Sequence, residues 1–394
     1  MAQAKRRIMI IEELTNEIEQ ETEYWPESLQ KPLLRAAFLS GEAGLRAWAV
    51  WKSQVNMDDH PDPGSFRLLP QLYRNLQSQG ISDPLMMKLK GIARKAWYNN
   101  QRYFRSILSP LQALHQVGIE TMLLYGPALA LNFHSDYALR EQTILPILVR
   151  PEQAIDAIKQ LQALGWESEA RLPSHLIEPY ITVGFMHFFN DAKERRIQLH
   201  WHPLPECNHS EADEDFWEGA VSTNLNNVPI FTLNPADQIL HICAQDTSLA
   251  EASLFLRAIY VMLVIRATET GLDWERLIRQ AQQHRLLVPV MKVLHYLQEN
   301  LDEPLPPEIW QRLKTLPISR GEQIEYNLKT SRIVVWRRFS RLWFNYLRRS
   351  NERHLLQKIM GFPRYLQHFW RLEHMWQVPL QAVSAAQARL RRTN

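Results

Sequence analysis

Four side chains able to ligate a borderline metal fall within ten residues, in the segment HWHPLPECNH: His200, His202, Cys207 and His209. On a strand, His200 and His202 would share one face, and the quartet could then hold zinc. The spacing matches no common structural-zinc signature, so the expectation for these rings is packing or hydrogen bonding. Asp213 and Asp215 stand at the i, i+2 separation that two carboxylates on a strand need to share a divalent cation. Their surroundings, HSEADEDFWEG, read instead as an acid-rich first helical turn, where carboxylates favour the helix dipole. The largest concentration of charge lies at the C-terminal end. Residues 331–394 carry 13 Arg and Lys against Glu352 and Glu373, a net +11, which leaves −8 for the preceding residues of a chain whose formal charge is +3. Trp336, Phe339, Trp343, Phe344 and Tyr346 interleave with Arg337, Arg338, Arg341, Arg348 and Arg349. That mixture suits stacking and phosphate contact. These five arginines are candidates for contacting an anionic partner, whether an acidic protein, a second copy, nucleic acid or a membrane surface, or the chain's own acidic part. Aromatic residues at three- and four-residue spacing equally suit a helix facing a core.

Composition removes several classes of chemistry. With only 13 glycines in 394 residues, and only Gly41 and Gly44 within five residues of each other, GxGxxG, GxxxxGK[ST] and GxSxG cannot be written. Rossmann dinucleotide binding, P-loop chemistry and the α/β-hydrolase elbow are therefore unsupported. Two cysteines, Cys207 and Cys243, cannot build a disulfide framework. The beginning of the chain shows no secretory apolar region, and the apolar run at 258–265 is far short of the ~20 residues needed to span a bilayer. The expected location is cytoplasmic, with no transmembrane segment.

The elements that must position these side chains change along the sequence. Residues 1–105 read as a helical N-terminal region. Residues 106–234 read as a small α/β core, with strands expected at 119–125, 143–149, 181–189 and 196–202 and helices at 126–133 and 151–164. Residues 235–394 read as a helical C-terminal region ending in the basic aromatic tail. The fold class expected is α+β, a small mixed sheet embedded between helical regions.

Within that core, LLYGPALALNF, LREQTILPILVRPEQ, AIKQLQALGW and IQLHW resemble a family of bacterial nucleotidyltransferase-like proteins. The core of that family reads LLKGxALAxxYY, LRxMGDIDLLVxPEQ, AxxxLxxxGW and VDLHW. The resemblance extends to LLPQLYRNL upstream and to LNPADQILHIC and GLDWERLIRQA downstream. It implies a nucleotidyltransferase-like sheet and transfer of a nucleoside monophosphate from a triphosphate. Three strand carboxylates would hold two Mg²⁺ ions for that transfer. In this chain the three corresponding positions are Ile144, Pro146 and Gln198, with Tyr125 in place of the usual lysine. Neither isoleucine nor proline has a ligating side chain, and an amide is a weak neutral ligand. No catalytic residue and no metal ligand is assigned. Tyr125, Gly126, Arg140 and His200 remain as ligand-binding candidates, Arg140 because a guanidinium grips phosphate without a metal. Asp136 and Glu141, five apart around Arg140, do not reproduce the paired-carboxylate spacing. The resemblance thus implies a catalytically degenerate binding or assembly module without a cofactor. The alternatives are an active transferase with displaced ligands, using Mg²⁺ and a nucleoside triphosphate, and an adaptor acting through its basic tail.

Overall fold

The computed structural model describes residues 30–56, 63–132, 144–169, 173–205, 211–244, 254–268, 271–301, 305–330, 334–350 and 354–382. Three helices, α1 (Gln30–Phe38), α2 (Gly41–Gln54) and α3 (Pro63–Ser78), precede the 32-residue α4 (Leu85–Gln116). Among the buried residues of α4, Leu89, Ala93, Ala96, Asn100, Phe104, Ile107, Leu111 and Leu114 recur at three- and four-residue steps, which keeps one stripe inward along the helix. Pro110 interrupts this helix without ending it. Its missing N–H frees the carbonyl of Ser106, and the guanidinium of Arg195 takes that acceptor at 3.1 Å. The helix runs unbroken through the division expected at 105/106. Leu89 packs with the helical regions, while Phe104 to Leu114 pack on the sheet.

The sheet has seven strands, β1 (Met122–Leu123), β2 (Ile144–Leu148), β3 (Glu167–Ser168), β4 (Met186–Asn190), β5 (Arg196–His200), β6 (Val221–Leu225) and β7 (Val228–Thr232), in the order β3-β4-β5-β2-β1-β7-β6. β2 pairs in parallel with β5, and β1 in parallel with β7; the other neighbours are antiparallel. Interleaved are α5 (Tyr125–Asn132), a 3₁₀ turn (Pro151–Gln153), α6 (Ala154–Ala163), α7 (Ser174–Val183) and α8 (Glu211–Glu218). The architecture is α+β, a mixed sheet set among helices. One expectation is corrected, and one hairpin is added to those expected. Residues 181–183 finish helix α7, and the strand begins only at Met186, after Gly184. A side chain at Gly184 would meet Trp201 and the carbonyl of Tyr180 at 2.9 and 3.0 Å, so the chain reverses there on glycine. The hairpin β6–β7, unassigned from sequence, turns on Asn226 and Asn227, whose φ of 48° and 66° give the left-handed pair of a tight hairpin turn.

Beyond the sheet follow α9 (Pro235–Ala244), α10 (Leu254–Ala267), α11 (Trp274–Gln283), α12 (Leu287–Leu301), α13 (Pro307–Thr315), α14 (Arg320–Lys329), α15 (Val334–Arg349) and α16 (Leu355–Phe369). One sheet face, through Met122, Leu124 and Leu148, joins a core made jointly by the N- and C-terminal helices, including Leu33, Trp51, Leu72, Ile239, Val261 and Leu294. The other face, through Leu123, Leu145, Ile147, Ile197 and Leu199, packs on α4, α6 and α7.

One buried ion pair fixes α9 to α11. Asp273 caps α11 by accepting from the Arg276 amide at 2.8 Å, and the Arg276 side chain reaches Asp237 with Nε and Nη2 at 2.9 and 2.7 Å. Asp237 is fully buried. Its carboxyl is raised by burial, against the pull of Arg276 and Asn234. Removing one partner strands the other. Arg276→Met is therefore expected to cost about 3–5 kcal/mol in urea unfolding, and Asp237→Asn added to it to recover part of that loss.

Candidate functional site

Parallel pairing of β2 with β5 sets Ile144 beside Arg196, Pro146 beside Gln198 and Leu148 beside His200. β4 extends the row with Asn190, Phe188 and Met186. Because paired residues in a ladder point to the same face, this row is one continuous surface, and the positions that the family resemblance singles out are neighbours on it. Pro146 sits in a central strand, where proline is ordinarily excluded. It is tolerated because its main-chain groups face β1, which ends at Leu123. The Leu124 amide donates to the Pro146 carbonyl at 3.2 Å, and no N–H is needed in return. The Tyr103 hydroxyl donates to the Ile144 carbonyl at 2.8 Å and pins the start of β2.

The donor set on this row does not suit Mg²⁺. The side chains of Ile144, Pro146 and Phe188 offer no oxygen, and Gln198, only 8% exposed, offers one neutral amide. Arg196 is the charge at this end. It lies 4.1 Å from the centre of the Phe188 ring and bonds both oxygens of Glu169 at 2.8 and 2.6 Å. Among the described residues no group of three His, Cys, Asp or Glu could hold a metal ion. A cation there would meet a guanidinium, and the nearby Glu169 carboxylate is already paired with it.

At the other end of the row, His200 and His241 are buried, and Tyr125 packs against both. The Tyr125 ring centre lies 4.4 Å from that of His241 and 5.8 Å from that of His200. Tyr125 has a φ of 51°, a left-handed conformation uncommon for a residue with a side chain. All four ring nitrogens of the two histidines lack a well-formed hydrogen bond, as do both amide atoms of Gln238, one helical turn before His241. Burial holds His200 down to about 3, with His241 pushing the same way and the His202 main chain opposing. Burial likewise holds His241 down to about 4, against the Pro203 carbonyl. Both rings are therefore neutral at physiological pH. His241 escaped the sequence reading; the signal was a histidine within the apolar run QILHICA, three residues after a glutamine. Gly126, also buried, opens the first turn of α5, and Asn132 at the far end of that helix donates to Thr232 Oγ1 at 2.6 Å.

The HWH segment does not spread its histidines on one strand face. β5 ends at His200, Trp201 Nε1 donates to the carbonyls of Ile181 and Gly184, and His202 Nδ1 turns to Asp213 Oδ2 at 2.5 Å. Asp213 thus serves His202, and Asp215 gives its carbonyl to Arg276. Cys207, His209, Asp136, Arg140 and Glu141 lie outside the described residues.

Within the basic tail the structure brings Arg348 and Arg349 inward. Arg348 grips Glu325 with Nε and Nη2, both at 3.0 Å, and donates to the His284 carbonyl at 2.7 Å. Arg349 donates to the carbonyls of Thr182 and Gly184 at 2.7 and 2.9 Å. Burial pulls its guanidinium down to about 10, against Tyr365, Asp213 and Tyr180. Arg341 donates to the Lys329 carbonyl at 3.3 Å, and Arg337 and Arg338 lie on the same helix, α15.

Acid should loosen this fold. His187, also held down to about 4 by burial with Arg371 adding to it, shares the neutrality of His200 and His241. In the unfolded chain each ring binds a proton below about 6.5, so between about pH 4 and 6.5 unfolding takes up protons and stability falls as pH falls. The expected loss from about pH 7 to pH 5 is about 2 kcal/mol per ring. His241→Gln should flatten the measured dependence of the urea midpoint on pH by one ring's share.

Comparison with known proteins places the segment that carries the sheet in one family. The family described as uncharacterised nucleotidyltransferase matches residues 65–302, from α3 through the sheet to the end of α12. No curated protein matches the chain. With more than half of its length matched, the chain belongs to the uncharacterised nucleotidyltransferase family.

Proposed function

We propose that this protein uses a nucleotidyltransferase-type sheet as a metal-free binding or assembly module in the cytoplasm, without transferring a nucleotide. One observation carries the reading. The row where the family's carboxylates would converge is occupied by Ile144, Pro146 and Gln198, with Pro146 and Gln198 side by side across the β2–β5 ladder. Two-metal phosphoryl transfer needs several anionic oxygens on one face. Here the surface pairs aliphatic carbon with one amide, and its fixed charge is the cationic Arg196.

The residues that remain act by fit and by hydrogen bonding. The Gln198 amide offers one acceptor and two donors, Tyr125 an aromatic face, and Arg196 a guanidinium already committed to Glu169. Such a lining suits a neutral or weakly anionic ligand, or a segment of a protein partner, held without a cation. Arg140, outside the described residues, completes this proposal as the grip for an anionic group.

Calorimetric titration with ATP, CTP, GTP and UTP, each with and without Mg²⁺, tests the reading. Heat that is absent, or equal with and without the metal, is expected; magnesium-dependent binding or release of pyrophosphate would overturn it. Gln198→Asp, which places a single carboxylate on the row, is expected to leave the protein inactive, because one carboxylate does not assemble a two-ion site.

A further inference from the structure

The outward side of α4 collects cations without acids. Its 32 residues contain Lys88, Lys90, Arg94, Lys95, Arg102 and Arg105 and neither Asp nor Glu. Opposite the buried stripe that holds Leu89, Ala93, Ala96 and Asn100, an exposed line runs through Tyr98. Arg94 and Arg105 lie on one side of that line and Lys95 and Arg102 on the other, all exposed and all within about 60° of Tyr98 around the helix axis. These four cations span about 16 Å along the axis. None of the four has an ion-pair partner among the described residues. On α2 and α6, by contrast, an exposed cation meets an acid one turn away, Arg46 with Glu42 at 2.9 Å and Lys159 with Asp156 at 3.3 Å. Arg102 and Arg105, one turn apart on α4, repel instead.

Aromatic rings are set among these charges. Tyr98 is 57% and Trp97 46% exposed, and the Arg102 guanidinium lies over the Tyr98 ring, 5.9 Å from its centre. Trp97 stands at the rim of the same face, one turn from Arg94. Exposed flat rings among unpaired cations match the way proteins hold a single nucleic-acid strand, in which bases stack on the rings and phosphates meet the cations. The buried stripe of α4 packs on the sheet through Phe104, Ile107, Leu111 and Leu114, so the charged line points away from the sheet and is independent of the row on β2 and β5.

We infer that the outward face of α4 binds single-stranded nucleic acid, with bases stacked on Tyr98 and Trp97 and phosphates at Arg94, Lys95, Arg102 and Arg105. Other occupants fit less well. A bilayer needs an apolar crest, and from Gly91 to Ser109 the line opposite the buried stripe carries no aliphatic side chain. A duplex offers phosphates but keeps its bases stacked on one another, which leaves both rings without a role. An acidic protein would neutralise the cations, yet protein interfaces surround their aromatic anchors with apolar area, and here cations flank Tyr98 on both sides. A single strand is a polyanion with free base faces and meets both features of the surface.

Fluorescence anisotropy of a labelled oligouridylate of about 12 nucleotides, titrated with the full-length protein, tests this. Binding is expected, and raising salt from about 50 to 200 mM should weaken it about fiftyfold when all four cations meet phosphates. Arg94→Gln, Lys95→Gln, Arg102→Gln and Arg105→Gln combined should weaken it roughly tenfold or more at low salt and flatten the salt dependence. Trp97→Ala with Tyr98→Ala should weaken it roughly tenfold or more and leave the salt dependence as it was, which attraction by charge alone would not show. All six side chains are exposed, and glutamine and alanine are good helix formers, so far-ultraviolet circular dichroism should be unchanged. Failure to bind, binding undiminished in the four-cation variant, ring substitutions without effect, or equally tight binding of polyglutamate in competition would each overturn the proposal, the last by assigning the face to an acidic protein.

Discussion

Parallel pairing of β2 with β5 is the constraint on which the molecule is built. Parallel strands cannot be joined by a tight turn, so the chain must leave the sheet and return, and the pair must be covered on both faces. The return passes through α6, β3, α7 and β4, which supplies the cover for one face. The other face is closed by helices from both ends of the sequence. Leu33 and Trp51 before the sheet and Ile239 and Leu294 after it belong to one core. Arg35 donates to the Asn300 carbonyl at 3.1 Å, and Arg266 to the Phe38 carbonyl at 3.2 Å. The helical regions that bracket the sheet in sequence are one layer in space.

The same pairing accounts for an uncharged row in the middle of the sheet. Strand residues that face a covering layer can be hydrophobic at little cost, since burial of an aliphatic side chain contributes about 1.5–3 kcal/mol. A cluster of carboxylates held together without cations would instead repel. Ile144 and Pro146 in a strand reading ILPIL therefore sit easily beside Leu145 and Ile147. Part of the polar remainder is concentrated in His200, Gln238 and His241, whose hydrogen-bonding capacity the protein leaves mostly unused. Each such group imposes a desolvation cost that packing must offset.

Much of this was legible in the sequence where local signals and tertiary demands agree. The apolar run at 144–148, the glycine after α6 and the acid-rich start of α8 gave the right elements in the right order. Legibility failed where a long-range partner decides. Residues 174–183 carry strand-forming Ile177, Tyr180, Ile181 and Val183, yet they form a helix because Ile177 and Tyr180 pack against the sheet. The pair Asn226–Asn227 was a readable hairpin signal that went unread. The basic tail shows the limit most clearly. Composition separates −8 from +11, but it cannot say that Arg348 meets Glu325 or that Arg349 meets two carbonyls at the C-terminal end of α7. His241 and its approach to His200 depend on α9 docking on the sheet, which no spacing within either segment encodes.

Arg349 has a consequence for where this protein ends as a physical object. The matched family region stops at residue 302, yet the carbonyls of Thr182 and Gly184, at the bend into β4, are satisfied from residue 349. Arg371 covers the Tyr180 ring at 4.4 Å, and Glu373 reaches His175 at 3.0 Å. The tail is thus a strap across the strand edge that carries β4. A boundary drawn by kinship and a boundary drawn by cooperativity differ here by some seventy residues. Relatives that lack such a strap must close the same bend with other donors, and the chemistry at that bend can diverge while the sheet stays the same.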